Sequence, residues 1–135
     1  MNVDVDLPTS LDMAKAKQLA VQLSNESDEL NRQIGLVEDM LKEIGFGVPA
    51  WIRCNDAVSF GYGKINGKWR IGIMSPTDTW PFSESPRELR VECIALIPAL
   101  LAELVRVASE LTERMQAANQ TLREMVALLE LEWEL

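Results

Sequence analysis

The sequence predicts an α+β fold: two long helices in an antiparallel coiled-coil hairpin flanking a small antiparallel β-meander, in the order α-β-β-β-α. Three observations predict it. A helical period runs from Thr9 to Ile44 and resumes in the last third of the chain, an Asn66-Gly67 pair sits between alternating segments, and strong start and stop signals divide the three regions. The 135 residues, 47% of them hydrophobic, are enough for a single domain with its own core.

Residues 1–8 read as a flexible acidic N-terminus carrying Asp4 and Asp6, with neither the basic nor the apolar stretch of a signal peptide. Residues 9–44 read as the first helix. Pro8 and Thr9 precede it, Gly45, Phe46 and Gly47 follow it, and no proline interrupts it. Its seam steps by three and four through Met13, Ala16, Ala20, Leu23, Ser27, Leu30, Ile34, Val37, Leu41 and Ile44. Residues 85–135 read as the second helix, with Ser85 as cap, Pro86 at the first helical position and Glu88 completing a capping box. Pro98 removes one intrahelical hydrogen bond, which predicts a kink or break nearby. Beyond it the seam resumes at Ile97, Leu101, Leu104, Ala108, Leu111, Met115, Ala118, Leu122, Met125 and Leu129. The two seams have nearly equal lengths, roughly 46 to 48 Å at 1.5 Å per residue. Antiparallel pairing sets small residues against large ones: Ala16 with Met125, Ala20 with Leu122, Leu23 with Ala118, Ser27 with Met115, Ile34 with Ala108. This order of helix, hairpin and helix resembles, in plan only, the layout of prefoldin-type subunits.

Residues 50–74 read as the β-meander. Asn66-Gly67 predicts a two-residue type I′ turn, which opposes Lys64 to Trp69, Tyr62 to Ile71 and Phe60 to Ile73. Val58, Phe60, Tyr62, Trp69, Ile71 and Ile73 then share the core face. Trp51 to Cys54 forms a further strand through an Asn55-Asp56 turn, and residues 75–84 form a loop to the second helix. The reverse face of the hairpin carries Gly61, Gly63 and Gly72 beside Lys68 and Arg70, a smooth patch that another backbone, a helix or a flat ligand could approach closely.

The net charge of −8 disfavours nucleic acid and anionic lipid as partners. Residues 45 to 84 carry a net +1, so the helical segments and termini hold −9. No run approaches the roughly 18 apolar residues of a membrane span. The chain has no histidine, which removes the commonest general base and most zinc or iron ligand sets. Cys54 and Cys93, without ligand spacing, read as reduced buried thiols and fit a cytoplasmic location. Two Glu-x-x-Glu pairs, Glu26 with Glu29 and Glu110 with Glu113, have the spacing of bundle metal carboxylates but fall mostly on the solvent side of the heptads, as a charged surface does. Trp51, Trp69, Trp80 and Phe82 read as a small core where sheet meets helix rather than a ligand pocket. No cofactor or metal is expected.

The second helix has an apolar stripe wider than a two-stranded coil needs. Leu100, Val105, Val107, Val126 and Leu128 flank its seam where charges are usual. A homodimer forming a four-helix bundle would use them as its interface; alternatively the sheet or the N-terminal residues cover them. The expected function is therefore a non-enzymatic assembly protein that binds itself and an unidentified protein partner. The alternatives are an acidic inhibitor of antitoxin, immunity or anti-DNA-binding type that occupies a basic partner site, and a carboxylate- and magnesium-dependent helical-bundle hydrolase.

Overall fold

The structure, a computed structural model, describes residues 12–133, so the expected acidic N-terminus lies outside the described residues. Helix α1 spans Met13–Ile44. Asp12 caps it, its carboxylate accepting from the Lys15 amide at 3.2 Å, so the described helix starts later than Thr9. Gly45 ends it in the left-handed conformation at φ 72°, its amide returning to the Leu41 carbonyl.

Four antiparallel strands follow in sequential order: β1 Ala50–Arg53, β2 Ser59–Ile65, β3 Lys68–Met74 and β4 Thr79–Pro81. The expected register holds, with Lys64 opposite Trp69, Tyr62 opposite Ile71 and Phe60 opposite Ile73. Asn66 and Gly67 both have positive φ, 53° and 82°, as a type I′ turn requires. The Asn55 side chain organises the β1–β2 turn by accepting from the Ala57 and Val58 amides. The region read as a loop contains β4 and a 3-10 turn, Phe82–Glu84. A three-residue strand ending in proline is tolerated because β4 is an edge.

Helix α2, Arg87–Ile94, and helix α3, Ile97–Trp133, replace the single kinked helix expected over 85–135. The break falls at Ala95 and Leu96, which leaves Pro98 in the first turn of α3, where a missing amide costs no hydrogen bond. The capping box does not form. Pro86 occupies the N-cap and the Ser85 hydroxyl instead donates to the Phe82 carbonyl at 2.7 Å.

The core lies between one sheet face and the helices. Ala50, Phe60, Tyr62, Ile71 and Ile73 meet Ile34 and Leu41 from α1, Cys93 from α2, and Leu100 and Leu104 from α3. The Phe60 and Phe82 rings pack edge to face at 6.3 Å, and Tyr62 stacks on Trp69 at 5.5 Å. Helix α1 lies over β3 and α3 over β1. The two long helices therefore pack on the sheet rather than along each other, which corrects the expected intramolecular coiled coil and the prefoldin-like plan that depended on it. The outer seam positions Leu23, Met115, Leu122, Met125 and Leu129 are exposed. The reason is that α1 and α3 lie over different strands, and the seven-residue strands reach only the inner halves of the helices.

The glycine face is also resolved differently from expectation. Trp51 lies directly opposite Gly61 and lays its indole over Gly61 and Gly63, while Ile65 and the Trp80 backbone close over Gly72. Close approach is thus made by the chain's own side chains, and all three glycines are buried. A Cβ at Gly61 would collide with the Ala50 carbonyl and the Trp51 ring. Gly61→Ala is expected to destabilise the fold by about 1 to 3 kcal/mol in denaturant unfolding, whereas Gly35→Ala, with nothing near its Cβ position, should not destabilise it.

Candidate interaction surface

The sheet is too short for its helices. Beyond it, α1 is exposed from Met13 to Glu26 and α3 from Ser109 to Trp133. These two arms carry most of the exposed large apolar residues of the described chain. On the α3 arm, Met115, Leu122, Met125 and Leu129 continue the heptad seam, with Val126, Leu128 and Leu131 beside it; Leu122 is 57% and Leu129 63% exposed. On the α1 arm, Met13, Leu19, Val21 and Leu23 are exposed.

The five residues expected at an interface divide accordingly. Leu100 is 1% exposed and sits in the chain's own core, and Val107 packs half-buried against it, so the sheet covers these two and they are corrected from that role. Val105, Val126 and Leu128 are exposed. The sheet-facing stripe of α3 is Ile97, Leu100, Leu104 and Val107, so the seam residue Leu101 is left 39% exposed.

Lys68 is exposed, and Arg70 turns to the free edge of the sheet. There β4 pairs β3 only from Gly72 to Met74, and the next amide, Ile71, donates to Glu38 Oε2 at 2.6 Å. The α1 carboxylate stands where the carbonyl of a longer β4 would be. Arg70 Nε lies 3.8 Å from the same oxygen. Burial raises the Glu38 carboxyl above its ordinary value, against the opposing pull of the Ile71 amide and Arg70.

One member of each Glu-x-x-Glu pair is held locally. Arg32, then Gln33, binds Glu29 and holds its carboxyl down at about 2, and Glu110 pairs with Arg106 at 2.8 Å. Among the described residues no three histidine, cysteine or carboxylate side chains gather as metal ligands. No helix among them is long and apolar enough to cross a membrane. The aromatics expected in a small core do line it, except Trp51, which covers the outer face.

The folded chain brings together two residues whose spacing gave no sign of contact. Cys93 Sγ donates to Cys54 Sγ at 3.8 Å, joining the end of β1 to α2. Burial, then the Cys54 contact, pushes the Cys93 thiol up to about 12. No protein-family model, curated protein or solved structure matches this chain. The reading of its surface therefore rests on the geometry above.

Two outcomes follow from these groups. Because the folded-state pKa of Glu38 is raised, the folded chain binds more protons just above the ordinary glutamate range. Its contribution is fully present below the unfolded pKa and is lost as pH rises through the folded one, so in urea unfolding the native chain should lose stability over that window relative to Glu38→Gln. Cys93, a neutral buried thiol at pH 8, should resist iodoacetamide in the folded chain and react once unfolded, as peptide mapping would show.

Proposed function

We propose that this chain is an interaction and assembly protein rather than an enzyme, and that it associates with a second copy of itself through the apolar stripes of its helical arms. The observation that carries this reading is the α3 arm, residues 109–133, an exposed helix of roughly 37 Å with a continuous apolar stripe. A lone helix gains little stability from its own hydrogen bonds in water. A contiguous apolar stripe of this length marks a surface that is covered in use. A second copy is the simplest source of cover because both arms keep the heptad period that helix pairing needs. The coiled coil expected from the sequence then forms between chains instead of within one, and four arms supply the material of a bundle.

A second reading has one observation in its favour. The α3 arm carries Glu110, Glu113, Glu124, Glu130 and Glu132 against Arg114 and Arg123, so an acidic inhibitor docking this arm on a basic partner is the alternative. The expected measurement is a dimer or higher even oligomer of the 15.2 kDa chain in light scattering at micromolar concentration. Leu122→Glu with Met125→Glu should lower self-association at least 100-fold while leaving the near-ultraviolet circular dichroism of the sheet-domain tryptophans, Trp51, Trp69 and Trp80, unchanged. A native monomer at 100 micromolar would exclude self-association and leave the acidic-inhibitor reading.

A further inference from the structure

Two arginines of α2 stand against α1 and form no ion pair among the described residues. Arg87 Nε donates to Ser27 Oγ at 3.1 Å, and Arg90 Nη1 donates to Asn31 Oδ1 at 2.7 Å. Ser27 and Asn31 are one helical turn apart, so the two guanidinium groups are held side by side by neutral acceptors. Arg90 is 7% exposed and its Nε has no hydrogen-bond partner. The ion pairs among the described residues use Arg32, Arg70 and Arg106 instead. A guanidinium this buried, matched only by an amide oxygen, is a cost that a docked carboxylate would offset. The arginines rim a cleft of about 200 Å³ between α1 and α2, which Leu23, Leu30 and Val91 line with apolar surface and whose one carboxylate, Glu26, forms no ion pair with either arginine. The cleft runs into the exposed apolar stripe of α1 through Leu23.

We infer that this cleft, with the α1 arm, receives the α3 arm of a second copy, whose apolar stripe covers Leu23, Leu30 and Val91 and whose carboxylates face Arg87 and Arg90. The inference rests on the self-association proposed above and specifies its two faces. Charge supports this pairing. At the cleft end Glu110 and Glu113 face Arg87 and Arg90, while the paired outer seams carry little charge, residues 13–27 a net +1 and residues 115–129 a net 0. Length supports it as well. The outer seam of α1, Met13 to Ser27, matches that of α3, Met115 to Leu129, position for position, with Ala16 on Met125, Ala20 on Leu122, Leu23 on Ala118 and Ser27 on Met115. In that register Glu110 and Glu113 come level with residues 29 to 32 of α1, beside Arg90. Two-fold symmetry forms the contact twice.

The test compares the full-length native chain with two variants and their mixture by sedimentation velocity. The cleft variant is Leu23→Glu with Arg87→Glu, both at exposed positions, and the arm variant is Leu122→Glu with Met125→Glu. Each variant alone should lose at least 100-fold in self-association, since it lacks both copies of the contact. An equimolar mixture, with one variant fluorescently labelled, should form heterodimers at raised concentration, because the intact arm of one chain meets the intact cleft of the other. A native dimer whose cleft variant associates as tightly as the native chain overturns the inference but not self-association. The same holds for a mixture that associates no better than either variant alone. A native monomer overturns both.

Discussion

Helices of roughly 48 and 55 Å cross a sheet whose longest strands span roughly 23 Å, and this difference in length governs the molecule. The hydrophobic stripe of each helix is continuous, but only the part above the sheet finds apolar surface to bury. Ile34 and Leu41 on α1, and Leu100 and Leu104 on α3, are buried there. Each contributes about 1.5 to 3 kcal/mol by leaving water. The same residue types one or two turns farther along, Leu23 on α1 and Leu122 on α3, remain in solvent. The chain thus holds a packed domain and two arms made of the same sequence pattern.

The sheet supports this arrangement because its two faces are closed by different means. Helices cover one face. The other is closed by Trp51 and Ile65 lying on Gly61, Gly63 and Gly72, so a single layer of side chains does what a second layer of helices does in larger folds. The open side of β3, where β4 stops, is met by Glu38 from α1, which satisfies the Ile71 amide. That bond joins helix to sheet edge through a carboxylate that burial pushes toward its protonated form.

Charge is distributed unevenly. The arm of α3 is acidic, the arm of α1 is slightly basic, and α2 sets Arg87 and Arg90 against α1 with neutral partners only. Surface pairs such as Arg32 with Glu29 and Arg106 with Glu103 are local, within one helix turn, and contribute little to stability. The cleft arginines differ because Arg90 is buried, and a buried cation has a much stronger preference for a counter-charge than an exposed one.

What the sequence determined by itself was local. Asn66-Gly67 dictated the hairpin and its register, because the type I′ turn and the alternation of side chains leave one pairing that keeps Phe60, Tyr62, Ile71 and Ile73 on a common face. The helical period marked both long helices. Tertiary structure decided what the seams touch. A stripe through Leu101 and one through Leu100 differ by a modest rotation of the helix, so the period alone fits either a coil or a sheet face, and the sheet took Leu100 and Val107. The strand at Thr79–Pro81, the contact of Cys54 with Cys93 and the bond from Ile71 to Glu38 were likewise out of reach of local pattern. They join residues from separate elements, and such pairings are fixed only when the whole core is packed and its remaining polar groups must find partners.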